Sequence, residues 1–411
     1  MKKIAILLAF CISGAAFAAD EKASNAPMPD SDSTARFDDD SVKGRLMYSP
    51  DRWAEIHGLV QAGYSYSKKW DTSLRSDGTT AKETDDKARW RGDAYLKAAR
   101  LSMNGQLGKG LYFFYQTADL NTGKNAQNTN KKDSSKATTY TQDAYMKVEF
   151  AQAFQVYAGM LTVPRDRQNL QSQASLLTAN GQFLMRSSMD GYSNNGRDTG
   201  LMIRGFFPGK KPVMEYRFGV FEGLGRELDE DGNVIRNRHN QPRYAGRIQL
   251  TAGDTEESYF YSENYLGKRS LLAWGFGMDY QADQRNKKDN YVSYASDLTI
   301  DSPLPMGGMP FVFSGQGGFV KAINLPDNVG LTKSSYMQIY GQVGVLLADK
   351  VQPTLKFSYL NHDKTRFFTF GLNYYFNGHY SNVKFDFDLP AGDNRDDSDQ
   401  YKATLQFQGY L

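Results

Sequence analysis

From Trp53 onward the chain alternates apolar and polar residues with a period of two, and after residue 18 it never sustains the roughly eighteen continuous apolar residues that a membrane-spanning helix requires. Period two sends successive side chains to opposite faces of a sheet. Met214, Tyr216, Phe218 and Val220 share one face, with Glu215, Arg217 and Gly219 on the other. Met337, Ile339, Val343, Val345 and Leu347 likewise stand against Gln338, Tyr340 and Gln342, and Val383, Phe385 and Phe387 against Asn382, Lys384, Asp386 and Asp388. The 411 residues include 26 Tyr, 25 Phe and 38 Gly but only 4 His and one Cys, a balance that favours extended strands over packed helices.

A soluble sandwich also alternates, and three features favour a membrane barrel over it. Aromatics close the apolar face, as at Tyr64 and Tyr66, Tyr112 and Phe114, or Tyr374 and Phe376, where interfacial girdles would sit. Long polar connections (69–93, 122–139) alternate with very short ones (108–110, 151–153), as expected of a barrel with extracellular loops at one rim and periplasmic turns at the other. The polar face is too hydrophilic for a sandwich core and suits a water-filled lumen. The expected fold is therefore all-β, a transmembrane antiparallel up-and-down β-barrel.

Sixteen strands are expected, near 53–68, 94–107, 111–121, 140–150, 153–163, 198–208, 212–223, 242–252, 270–282, 290–301, 311–323, 335–348, 351–362, 365–377, 379–388 and 399–411. Glu257–Leu266 is the ambiguous piece; even strand counts make it part of a long periplasmic turn, with eighteen strands as the alternative.

Lys2 and Lys3, the apolar run from Ile4 to Ile12 and the small-residue ending Ala16-Phe17-Ala18 make residues 1–18 a secretory signal peptide. Removing it lowers the formal charge from +3 to +1, by the loss of two lysines, and takes away Cys11, leaving no thiol for a disulfide, a metal or nucleophilic attack. So small a charge argues against a nucleic-acid binder, whose domain would show a basic stripe and a high pI. Residues 19–52, with Asp38-Asp39-Asp40, read as a disordered periplasmic leader, and 53–411 as the barrel.

Several strings resemble the porin O and P family, the phosphate-selective porins of Gram-negative outer membranes: Gly159-Met160-Leu161-Thr162-Val163-Pro164, Phe183-Leu184-Met185-Arg186-Ser187, Gly196-Arg197-Asp198-Thr199-Gly200, Tyr265-Leu266-Gly267-Lys268, Ser296-Asp297-Leu298-Thr299, and Gly371 through His379. In order and spacing they cover about residues 90 to 411. The resemblance implies a trimeric, water-filled channel whose third extracellular loop folds inward, with basic side chains guiding anions. The chain departs from the family's pattern in its near-neutral charge, its ending Tyr410-Leu411 and the lack of a coiled-coil leader, which leaves the solute open.

By loop order the inward-folding segment is 164–197, and its Arg165, Arg167, Arg186 and Arg197, set against Asp166 and Asp190, are the expected pore constriction. The expected pore wall is Arg100, Lys147, Arg204, Arg217, Arg247, Lys356, Lys384 and Lys402, opposed by Asp119, Glu149, Glu215, Asp297, Asp301, Asp386 and Asp388. Eight bases against seven acids make a nearly balanced wall, so at most a mild anion or phosphate preference follows. No cofactor, metal or catalytic residue is expected: His57, His239, His362 and His379 are scattered, and no G-x-S-x-G element occurs. The expected partners are outer-membrane lipid, small hydrophilic solutes or anions and two further copies in a homotrimer, with no nucleic acid. A channel specific for a sugar or carboxylate, and an outer-membrane barrel enzyme such as a lipid hydrolase, are the alternatives.

Overall fold

The computed structural model describes residues 45–49, 51–69, 89–117, 141–180, 196–207, 212–223, 226–228, 234–236, 241–285, 289–306, 309–324, 335–361, 365–391 and 401–410. After a short strand β1 (Arg45–Ser49) come β2 (Arg52–Lys69), β3 (Arg89–Gly108), β4 (Leu111–Thr117), β5 (Thr141–Ala151), β6 (Phe154–Thr162), β7 (Arg197–Phe207) and β8 (Val213–Phe221). A separate two-stranded hairpin of β9 (Arg226–Leu228) and β10 (Val234–Arg236) follows. The remaining strands are β11 (Arg243–Gly253), β12 (Leu271–Arg285), β13 (Asp289–Met306), β14 (Met309–Ile323), β15 (Ser335–Leu347), β16 (Val351–Leu360), β17 (Thr365–Asn377), β18 (Ser381–Ala391) and β19 (Lys402–Tyr410).

Each barrel strand pairs antiparallel with its sequence neighbours; β8 joins β11 across the hairpin, and β19 joins β2. Sixteen strands, β2–β8 and β11–β19, thus form a closed up-and-down barrel with no open edge. The small strand β1 pairs with Arg52–Glu55 of β2, just beyond the stretch Leu59–Ser67 that β19 covers. Within the span expected as leader, Arg45–Ser49 has regular structure because β2 continues past the end of β19 and offers it unpaired backbone; 19–44 lie outside the described residues.

Burial inverts the order of a soluble protein. In β8, Glu215 and Arg217 are buried while Phe218 and Val220 are exposed; in β15, Gln338 and Gln342 are buried while Ile339 and Val343 are exposed. Polar side chains therefore face inward and an apolar belt faces outward, with Tyr64, Tyr66, Tyr374 and Phe376 on the outer face. Tyr112 and Phe114 depart from expectation. Gln116 shares their parity and points inward with them, so the outer positions of β4 fall to Phe113 and Tyr115. The string Tyr-Phe-Phe-Tyr has aromatics at both parities, and alternation alone could not orient it. Inside, Phe114 joins Tyr145, Tyr157, Leu161, Met202, Phe221, Tyr259 and Phe260 in an apolar cluster, so this side of the lumen is packed with side chains.

Gly159 permits a close approach within this wall. It sits at φ +134°, and a Cβ there would meet the Ala144 carbonyl oxygen at 2.2 Å.

Candidate functional site inside the barrel

Two segments enter the barrel from opposite ends. Residues 163–180, between β6 and β7, cross the lumen and touch inward-facing groups around most of its circumference. The Arg167 backbone N–H donates to Asp297 of β13 (3.3 Å), Gln171 to Gln316 of β14 (2.5 Å) and Gln173 to Gln61 of β2 (3.2 Å). Gln408 of β19 donates to the Ala174 carbonyl (3.0 Å), and Asn373 of β17 to the Leu177 carbonyl (2.8 Å). A single 3-10 turn, Gln173–Ser175, is the only regular helix among the described residues.

Residues 254–270, between β11 and β12, enter from the rim where 109–110, 152–153, 348–350 and 378–380 are tight turns. No part of Glu257–Leu266 joins the barrel wall as a strand, in keeping with the count of sixteen. The segment turns inward because its alternate faces have partners there. Arg204 donates to the Ser258 carbonyl and Arg217 to the Tyr259 carbonyl, both at 2.8 Å, and Tyr261 donates to Glu215 at 2.8 Å. Farther round the wall, Asn264 donates to Gln352 (3.0 Å) and to the Tyr375 hydroxyl (3.1 Å), and His379 Nε2 donates to the Asn264 carbonyl (3.0 Å). Burial and the nearby Lys384 ammonium push the His379 imidazole down to about 3, so it is neutral at neutral pH.

The two segments are joined to each other. Ser172 N–H donates to the Tyr261 carbonyl and Tyr261 N–H to the Leu170 carbonyl, each at 2.9 Å, forming one parallel bridge. Arg167 donates to both oxygens of Glu256, at 2.8 and 2.5 Å, and to the Ser262 carbonyl at 2.9 Å. Burial alone would raise the Glu256 carboxyl, but the Arg167 guanidinium and the Tyr265 hydroxyl outweigh it and hold the group below the usual range. Glu263 accepts from the Leu177 N–H (2.5 Å), and burial pushes its carboxyl up against the pull of Lys384 and Lys356.

The wall arginines form a row. Arg204 of β7, Arg217 of β8 and Arg247 of β11 stand directly opposite one another in register, a like-charge alignment that needs compensation. Glu215 accepts from both Arg204 (2.8 Å) and Arg217 (2.7 Å), and Asp297 takes Arg247 bidentately (2.6 and 2.7 Å). Tyr261 lies over this row, with the Arg217, Arg247 and Arg167 guanidinium carbons 4.7, 5.8 and 4.6 Å from its ring centroid.

A second basic group is built differently. Lys97 and Arg100 of β3, Lys356 of β16 and Lys384 of β18 converge on residues 173–180 and donate to neutral oxygens there. Lys97 bonds the Ala179 carbonyl, Arg100 the Gln173 side chain, Lys384 the Leu176 carbonyl, and Lys356 the Asn180 carbonyl at 2.6 Å. Asp386 lies among them and accepts from the Ala179 N–H at 2.8 Å. The three lysines bond carbonyl oxygens, whereas the arginines of the row bond carboxylates directly.

Three of the four expected constriction residues are bonded to carboxylates. Arg167 is 0 % exposed and bound to Glu256, Arg165 is bound to Asp166 (2.7 Å), and Arg197 to Asp143 (3.1 Å). Burial of a guanidinium favours a carboxylate partner, so these three brace the loop instead of facing a solute; Arg186 lies outside the described residues. Of the expected wall, Arg204, Arg217 and Arg247 are likewise paired, and Lys147 bonds Glu149 (3.1 Å). Arg100, Lys356 and Lys384 meet in the basic group, while Lys402 sits opposite Asp388 in register. Lys97 was missed because it falls at the bulge between β2 and β3, where the alternation slips by one residue.

The barrel is similar to the anion-selective porin from Comamonas acidovorans, with 12% identity over 87% of this chain and 99% of that one and a TM-score of 0.53. It is also similar to the outer membrane channel DcaP of Acinetobacter baumannii, with 10% identity over 89% and 99% of the two chains and a TM-score of 0.51. At such identities the likeness is one of fold. No family model and no curated protein matches the sequence.

Proposed function

We propose that this chain is a porin of the bacterial outer membrane that passes small hydrophilic solutes down their gradients, with a preference for anions. The observation that carries this reading is the inverted barrel: buried Arg, Lys, Glu, Asp and Gln within, a continuous apolar belt outside. Such a wall holds water inside and lipid outside. The likeness to an anion-selective porin and to an outer-membrane channel supports the reading at the level of fold. The anion preference rests on Lys97, Lys356 and Lys384, whose ammonium groups gather on the Ala179, Asn180 and Leu176 carbonyls, away from the apolar cluster on the other side of the lumen. Phosphate as the favoured ion, a signal peptide at 1–18 and a homotrimer, all suggested by the sequence, belong to the same proposal.

Single-channel recording in a planar bilayer tests it. The expected result is stepwise conductance, in triplets for a trimer, with a reversal potential shifted toward anions in a salt gradient. Changing Lys97, Lys356 and Lys384 together to Gln should abolish that shift. A folded, heat-modifiable barrel that carries no current would remove the channel reading and move a barrel enzyme to the front.

A further inference from the structure

We infer that residues 254–270 form the second half of the constriction and set its selectivity, by narrowing the lumen together with 163–180 and by capping the arginine row. This rests on reading the barrel as a channel. The span of the segment argues for it. Its first contacts lie on β7 and β8, at Arg204, Glu215 and Arg217, and its last on β16 and β17, at Gln352 and Tyr375. Around a ring of sixteen strands those positions are nearly opposite. A mere turn between neighbours β11 and β12 has no need to reach them. Tight turns join other pairs at this rim, as at 348–350 and 378–380.

The chemistry of the inserted face argues for a role in selectivity. Three arginines in register would present a strip of cations to the lumen, with Glu215 and Asp297 as their two carboxylate partners. The Tyr261 ring instead lies within 4.6 to 5.8 Å of two of them and of Arg167, and the Ser258 and Tyr259 carbonyls occupy further guanidinium donors. Tyr259 and Phe260 anchor the cap in the apolar cluster. With the cap in place the row is covered by an aromatic ring and peptide groups. Without it the row, three guanidinium groups against the two carboxylates Glu215 and Asp297, opens to water with one positive charge in excess and attracts anions.

The test replaces 257–265 with Gly-Ser-Gly, keeping Glu256 for Arg167, and compares conductance and reversal potential with the unaltered channel. Conductance should rise by about twofold or more, as expected when a lumen obstruction is removed, and the reversal potential should move farther toward anions. Unchanged values for both in a heat-modifiable barrel overturn the inference, and a silent unaltered channel overturns the porin reading instead. Should the shortened chain not fold, the pair Gln171→Cys and Tyr261→Cys, at the one bridge between the segments, replaces it. The disulfide should form, as checked by thiol titration, and hold the unaltered conductance, with reduction raising it because Tyr261 is gone. Failure of the disulfide to form, or a current indifferent to reduction, overturns the inference.

Discussion

Changing Arg167 to Met should destabilise the interior of the barrel far more than a surface ion pair would. Glu256 is buried and accepts four hydrogen bonds: two from Arg167, one from Gln249 (2.9 Å) and one from the Tyr265 hydroxyl (2.5 Å). Removing the guanidinium leaves an ionised carboxylate in the lumen core with two neutral donors. The cost of breaking a buried pair in this way is about 3 to 5 kcal/mol. Changing Glu256 to Leu strands the guanidinium instead, at a similar cost. The double variant loses the charges together and leaves Gln249 and Tyr265 without an acceptor, about 1 kcal/mol for each. The single losses therefore sum to roughly 6 to 10 kcal/mol against about 2 for the pair, a strongly non-additive cycle. The assay is urea unfolding of the reconstituted barrel, followed by the mobility shift between folded and unfolded forms. Because the Glu256 carboxyl is held below its ordinary value, the stabilisation is present above the ordinary carboxylate range, near pH 4.3, and disappears as pH falls through the lower folded value. Single losses below about 1 kcal/mol, typical of exposed pairs, or losses that simply add, would refute the reasoning by showing the pair hydrated and uncoupled.

Three further outcomes are expected. Gly277→Ala should displace the inward loop and change single-channel conductance, since a Cβ there would lie 1.8 Å from the Arg165 carbonyl oxygen; the overpacking costs about 1 to 3 kcal/mol in urea. His379, lowered to about 3, is neutral when folded but takes a proton when unfolded, so its contribution is complete above pH 6.5 and is lost as pH falls from there toward 3; His379→Gln should flatten that part of the stability profile. Glu263→Gln should stabilise the barrel at neutral pH, because it keeps an acceptor for the Leu177 N–H and removes a carboxylate that burial resists ionising, an effect read as a higher unfolding midpoint.

The barrel was legible because a closed sheet with an apolar outer face and a polar inner face imposes one period on every strand. Met214 through Val220 shows it without ambiguity, and the sixteen expected segments correspond to the sixteen strands observed. Alternation failed where it had nothing to distinguish, as at Tyr112 and Phe114, and where a bulge shifted it, as at Lys97. The interior was less legible for another reason. A basic residue on a polar face reads the same whether it meets water or a carboxylate, and its partner can lie anywhere in the chain. Arg167 and Glu256 are 89 residues apart, and the carboxylate stands immediately before the ambiguous segment expected as part of a long turn. Its cue is present in retrospect: Tyr259-Phe260-Tyr261 is too aromatic for a turn exposed to water.

The seam between β2 and β19 has a consequence for how the molecule is made. Gln61 and Gln408, 347 residues apart, meet across it at 2.7 Å, and the same two glutamines hold the inward loop through Gln173 and Ala174. Docking of the loop and closure of the ring thus draw on the same groups. Contacts of so large a sequence separation come with a large loss of chain entropy and form late. Assembly therefore ends in one slow cooperative event, in which the cylinder shuts around contents it has already gathered. Before that event, β2 and β19 each carry an unpaired edge, and covering those two edges would protect the chain most.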